Sequence, residues 1–187
     1  MIISISGAEG AGKSTIAKML AEKLNWPRYY MGGLRRQKAA ERGLTLAEYN
    51  KLGETDPSTD LEVDEYQKKL GETEDNFIIE GRTSWHFIPQ SFKIFLDVDI
   101  NEAAKRIFEA LKESPERNED SNIKSVEDMI ESLKNRRESD MKRYQKYFDI
   151  NVFDLTHYDL VLDTTNLEIE EVFKETLVAI EKRLKNA

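Results

Sequence analysis

The sequence predicts an α/β fold of the doubly wound kind, one parallel sheet of five strands flanked by helices. Three observations predict it. Five short β-rich runs are separated by longer stretches with helical periodicity. The middle runs are apolar along their length (Phe77–Ile79, Ile94–Leu96) rather than alternating, as in strands covered on both faces. The first run ends in a glycine-rich turn that opens directly into an amphipathic helix.

In chain order, residues 1–6 are β-rich and stop at Gly7. Residues 13–24 follow as a helix, with Ile16, Met19, Leu20 and Leu24 on one stripe. Residues 28–31 form a short aromatic strand bounded by Pro27 and Gly32-Gly33. A helix is expected to start at Thr45, which has Glu48 at the spacing of a capping box. Strands are expected at 76–80, ending at Gly81, and at 92–98, ending before Asp99. Residues 102–112 and 125–147 read as helices, the second opened by Ser125 with Asp128 three residues on. The last strand is 159–163. The last helix is 168–184, with Val172, Phe173, Leu177, Ile180 and Leu184 facing inward.

Two stretches fit this core poorly. Residues 33–74 are strongly polar, with helical pieces but few apolar anchors, and residues 112–124 (KESPERNEDSNIK) are almost wholly hydrophilic. Polar insertions at the ligand-bearing ends of strands are where α/β enzymes carry substrate clamps and lids. A solvated loop is the plainer reading of 112–124.

The 187 residues suit one compact domain, 1–187. A formal net charge of −8 is the wrong sign for a protein that coats nucleic acid, so a bound anion must meet a local basic site. There is no cysteine, hence no disulfide scaffold and no thiolate metal site. No basic and apolar leader precedes the first strand, and no apolar run approaches the roughly 18 residues that cross a bilayer. The expectation is a cytoplasmic protein without membrane or nucleic-acid partners, with a monomer favoured.

The turn after the first strand reads Gly7-Ala8-Glu9-Gly10-Ala11-Gly12-Lys13-Ser14, followed by Thr15, and matches G-x-x-x-x-G-K-[ST] at every fixed position. Glycines allow a concave backbone whose N–H groups converge on phosphate oxygens at the positive end of a helix. Lys13 is expected to reach the β- and γ-phosphates of ATP, and the Ser14 hydroxyl to ligate Mg²⁺. The fold is therefore expected to be of the P-loop NTPase type, with the two polar insertions as appendages.

A GTPase would add Asn-Lys-x-Asp and Asp-x-x-Gly, and neither string occurs. The third strand instead ends Glu80-Gly81-Arg82, placing an arginine where a second anionic substrate would face the loop. Arg35 and Arg36 follow the second strand, and Arg106 lies on the helix after the fourth. Arg136, Asp140 and Arg143 share one helical face by their spacing. Such a stripe, taken alone, is usually a solvated ladder; several arginines converging on one sheet edge favour phosphate contacts. No acid follows the second strand, where a hydroxyl acceptor would need a base. An acceptor that is itself a phosphate is already a dianion near neutral pH, because its second pKa is about 6. The inventory favours a nucleoside monophosphate.

Over most of its length the chain resembles the cytidylate kinases, most closely the compact archaeal type. The resemblance is carried by ISISGAEGAGKST, Gly32-x-x-x-Arg36 with Lys38-Ala-Ala-Glu-Arg-Gly43, and Asp60-x-x-x-Asp64-x-x-Gln67. It continues through Glu80-Gly81-Arg82, Arg136-x-x-x-Asp140-x-x-Arg143-Tyr144 and Tyr158-Asp-Leu-Val-Leu-Asp-Thr164. It implies ATP and CMP or dCMP giving ADP and CDP or dCDP. It implies that Lys13, Arg82, Arg136 and Arg143 act on the transferring group. Gly32, Arg36, Asp60, Asp64, Arg82 and Asp140 would line the monophosphate site, and Arg106 would contact the donor nucleotide. Two positions depart from the family: Tyr30 replaces a small hydroxyl residue, and a second arginine is missing after Arg106, for which Arg117 is a candidate substitute. The alternatives are an adenylate-kinase-like enzyme, a small-molecule hydroxyl kinase, or a non-catalytic nucleotide-binding regulator. His86 and His157 are isolated, Trp85 reads as packing, and Glu80 is a candidate to hold a metal-bound water.

Overall fold

In the computed structural model, which describes residues 1–113 and 123–185, five strands form one sheet. The strands are β1 (Ile2–Gly7), β2 (Arg28–Tyr30), β3 (Phe77–Glu80), β4 (Phe92–Asp97) and β5 (Leu160–Asp163). Their order is β2-β3-β1-β4-β5 and every pairing is parallel. Around them lie α1 (Lys13–Leu24), α2 (Met31–Glu41), α3 (Leu46–Gly53), α4 (Ser58–Thr73) and α5 (Ser84–Phe87). They are followed by α6 (Ile100–Glu113), α7 (Val126–Phe148) and α8 (Ile169–Lys185), with a single 3₁₀ turn at Leu155–His157 before β5. The register sets Ile5 of β1 beside Glu80 on one side and Ile94 on the other, so Gly7 and Glu80 reach the same sheet edge.

The two-residue period of the strands divides the core. Ile3 and Ile5 join Ile78, Ile94 and Leu96 against α1, α6, α7 and α8. Ile2, Phe77 and Ile79 face the other way, onto Met31, Val63, Leu70 and Ile88. Fully burying each such side chain stabilises the fold by about 1.5–3 kcal/mol. β1 also carries Ser4 and Ser6, both buried, whose hydroxyls meet the Ser91 hydroxyl (2.8 Å) and the Tyr158 hydroxyl (3.3 Å).

Local signals fix the helix ends. Thr45 and Glu48 form a reciprocal capping box, and the Ser125 side chain accepts from the Asp128 N–H. Asn25 and Asp149 close α1 and α7 in the left-handed conformation.

Two expectations change. The stretch 33–74 does have anchors: Ala39, Leu46, Tyr49, Val63 and Leu70 are all buried. They are spread thinly over three helices, and α4 buries Thr59, Asp60, Asp64 and Gln67 alongside Val63 and Leu70, so no single window shows an apolar stripe. In α8 the last residue of the stripe, Leu184, is 40% exposed, while Thr176 is buried with its hydroxyl donating to the Val172 carbonyl. Most of the segment expected to be a lid (112–124), including Arg117, lies outside the described residues.

Candidate active site

The phosphate loop is built from the end of β1. Gly7 has φ 136°, and a Cβ there would sit 2.0 Å from the Leu96 carbonyl oxygen of β4. Only glycine lets the strand end this close to its neighbour, and Ala8 then donates to that same oxygen at 2.9 Å. Gly12, at φ 79°, turns the chain into α1, which has no side-chain cap. The first N–H groups of α1, from Lys13 to Thr15, therefore point out of the helix without a partner within it. Ala8 and Ala11 are buried under the turn, and Gly10 packs on the backbone of Ala103.

Lys13 folds back so that its ammonium donates to the Ala8 carbonyl. Burial, reinforced by the nearby Arg82, pulls its pKa from 10.5 down to about 7, with Glu9 opposing. A bound polyphosphate would reverse that shift by supplying negative charge. Ser14 donates to Glu80 at 2.7 Å, and Arg28 of β2 donates to the other oxygen of that carboxylate. A hydroxyl and a pinned carboxylate side by side make an oxygen donor pair of the sort a hard divalent cation takes. Among the described residues no cluster of three or more His, Cys, Asp or Glu could hold a metal by itself.

Above the loop, arginines from two elements meet the loop's own Glu9. Arg82, just past β3, donates to Glu9 and lies 2.9 Å from Asp140 through its Nε. From α7, the Arg136 Nε is 3.6 Å from one Glu9 oxygen and the Arg137 Nε 3.4 Å from the other. Phe153 lies beneath both Arg82 and Arg137, 5.9 Å from each guanidinium. The Glu9 side chain is 4% exposed. Burial by itself would raise its pKa, but Arg82, Arg136 and Lys13 outweigh burial and hold it well below the usual carboxylate range.

A second cluster extends from Asp140 into the polar insertion. Arg143 has no exposed side-chain surface. It donates to both Asp60 oxygens at 2.8 Å and also to Asp140. Arg35 of α2 pairs with the same Asp60 and donates to Asn50 of α3 at 2.8 Å. The Arg136–Asp140–Arg143 stripe is thus no solvated ladder: its last two members are buried struts tying α7 to α2, α3 and α4. Close by, Asp64 is buried and pushed up to about 7, first by burial and then by Asp60. Its carboxylate accepts from Gln67, which also bonds Thr83 and Ser84 at the end of β3.

The remaining residues singled out in the sequence sit apart from these clusters. Arg36 donates to the Gly32 carbonyl at 3.2 Å and to the Tyr30 hydroxyl, on the β2 side of the insertion. Arg106 donates to the Thr164 and Thr165 carbonyls at 3.0 and 3.2 Å, and the Thr164 hydroxyl bonds the Asp97 carbonyl at 2.8 Å. That turn borders the loop at Ala11. Thr15 is exposed on α1. Trp85 is buried, stacked on His157 with ring centroids 4.5 Å apart. A cleft of about 350 Å³ between α3, α6 and α7 has Arg136, Asn50 and Ser139 in its wall.

Arg137, Phe153 and Arg28 were not singled out by function in the sequence, because what makes them notable is their distance in space from Glu9, Arg82 and Glu80. One signal was present: an acidic residue inside a phosphate-binding loop requires cations around it.

A family model described as the cytidylate kinase-like family matches residues 2–166. The cytidylate kinase of Methanocella arvoryzae is 36% identical over 182 residues, covering 97% of this chain and 98% of that protein. That of Methanothermobacter thermautotrophicus is 34% identical over 170 residues, covering 91% and 99%. In structure, a shikimate kinase from Bacteroides thetaiotaomicron aligns with a TM-score of 0.62 at 16% identity over 99% of this chain and 98% of that one. An uncharacterized protein from Eubacterium ventriosum aligns at 0.71 and 18% identity over 97% and 98%. At those identities the solved structures speak to the fold alone, which is the P-loop kinase fold; the sequence relatives and the family model go further, and the chain belongs to the cytidylate kinase-like family.

Proposed function

We propose that this protein transfers the γ-phosphoryl group of ATP to CMP or dCMP, giving ADP and CDP or dCDP. The observation that carries the reading is the meeting of Arg82, Arg136 and Arg137 beside Lys13 at the mouth of the phosphate loop. Two anions must be held in line there, and guanidinium groups offset the charge of both. The acceptor phosphate oxygen forms the new bond to the γ-phosphorus while the bond to the β-bridging oxygen breaks, and ADP leaves. The acceptor needs no base. Glu9 cannot serve as one, since its neighbours hold it ionised with little affinity for a proton.

In this reading Gly7 to Thr15 cradle the ATP phosphates, and Arg106 orders the turn beside the donor. Mg²⁺ supplies charge neutralisation between the phosphates when bound. The Ser14 hydroxyl and the Glu80 carboxylate are the groups that would hold it, with Arg28 fixing Glu80. Arg82 grips the acceptor phosphate, with Gly32, Arg36, Asp60, Asp64 and Asp140 shaping the site and Arg143 holding Asp60 and Asp140 in place. Residues 33–74 form the acceptor-binding insertion of a single 1–187 domain, and 112–124 the lid. The substrates are small nucleotides, and the protein works as a cytoplasmic monomer; no helix among the described residues is long and apolar enough to cross a membrane.

An ADP-release assay with CMP, dCMP, UMP, AMP and shikimate tests the reading. Turnover is expected with CMP and dCMP, and Lys13→Ala should abolish it while thermal melting stays near wild type. Turnover with AMP alone, or with shikimate alone, would replace the reading, and no turnover with any acceptor would overturn it.

A further inference from the structure

We propose that Glu9 is a positioning residue that stands in for a phosphoryl group, gathering Arg82, Arg136 and Arg137 before phosphate binds and setting how readily bound phosphates are released. The proposal rests on the reading above that this cluster receives phosphates.

Glu9 lies within the loop that binds anions, a place where a negative charge opposes the ligand. Its position is nonetheless built. Arg82 and Arg136 approach one carboxylate oxygen and Arg137 the other, and the side chain is almost wholly buried beneath them. Asp140 pairs with Arg82 from the other side, yet without Glu9 the three guanidinium groups would still repel one another here. A carboxylate offers two oxygens where a phosphoryl group offers three. Two buried donors, Nη1 of Arg82 and Nη2 of Arg137, have no hydrogen-bond partner among the described residues. Buried donors left over around a stand-in anion are what a larger anion would satisfy.

The carboxylate stays charged throughout the working pH range, because the cations around it outweigh its burial. It therefore competes with every incoming phosphate and helps to expel every product. Removing that competition should tighten anion binding and slow release.

The test uses inorganic sulfate as the probe. Thermal melting of the full chain without nucleotide is followed against sodium sulfate, with sodium chloride holding ionic strength constant. Glu9→Gln should respond to sulfate at concentrations lower by about tenfold or more than wild type. Glu9→Asp, which keeps the charge, should stay close to wild type. In turnover, Glu9→Gln should lower kcat and the acceptor KM together and strengthen inhibition by CDP. If Glu9→Gln is unfolded in chloride, sulfate should restore the folded state; failure to do so overturns the proposal. A wild-type sulfate response in folded Glu9→Gln also overturns it, whatever happens to turnover. The sulfate response requires no knowledge of the acceptor, whereas the identity of the acceptor is tested by wild-type turnover, so the two readings fail separately.

Discussion

The two halves of α7 both bring arginine to carboxylate, and the two clusters differ in kind. Near its N-terminal half, Arg136 and Arg137 join Arg82 around the single carboxylate of Glu9, three cations for one anion. Near its C-terminal half, Arg143 is shared between Asp60 and Asp140, and Arg35 pairs with Asp60 from the other side, two cations for two anions, with Arg82 of the first cluster also reaching Asp140. The first cluster borders the phosphate loop and keeps some exposure at Arg136 and Arg137. The second has none at Arg143. Residue types that look interchangeable in sequence are thus separated by charge balance and burial: the unbalanced cluster leaves excess positive charge beside the phosphate loop, and the balanced one joins elements.

The largest effect should come from breaking the balanced cluster. Arg143→Ala leaves Asp60 and Asp140 buried together without their shared cation, at a cost of about 3–5 kcal/mol in stability. Urea unfolding measures this, and a loss under about 1 kcal/mol would mean that the cluster holds little together. Arg82 belongs to both clusters and sharpens the contrast. Arg82→Ala should raise the KM for CMP roughly tenfold or more, with a smaller change in the KM for ATP. Equal damage to both constants would remove it from the acceptor side. The smallest effect is a slope. Asp64 faces Asp60, Arg35, Lys68 and Arg143, and its folded-state pKa of about 7 lies above the ordinary aspartate value of 3.8. The folded state binds this proton more tightly, so the contribution is complete below the lower value and is lost as pH rises through about 7. Asp64→Asn should therefore gain stability relative to wild type between pH 5 and 8; a constant difference across that range would count against the shift.

Much of the fold was legible in the sequence, because its signals are local. The five strands, the phosphate loop, the Thr45 capping box and the Ser125 cap each depend on residues within a few positions of one another. The packing of 33–74 was not legible, since its anchors are divided among three helices, and it is the sheet face bearing Ile2, Phe77 and Ile79 that brings Val63 and Leu70 together with Met31. The arginine stripe of α7 was legible as a face but not as a function. Spacing placed Arg136, Asp140 and Arg143 together, yet what each one meets depends on Glu9, more than 120 positions away, and on Asp60, about 80 away.

By itself the sequence determined the strand and helix pattern and the loop at Gly7–Ser14, whose glycines and lysine admit few other uses. The tertiary structure decided which arginines meet Glu9 beside the phosphate loop and which are buried between Asp60 and Asp140. Helical spacing constrains direction around one axis and nothing beyond it, whereas charge balance and access to solvent arise only when distant elements meet. Glu9 illustrates the division: its identity is local, an acid in a phosphate loop, and its partners come from the end of β3 and from α7.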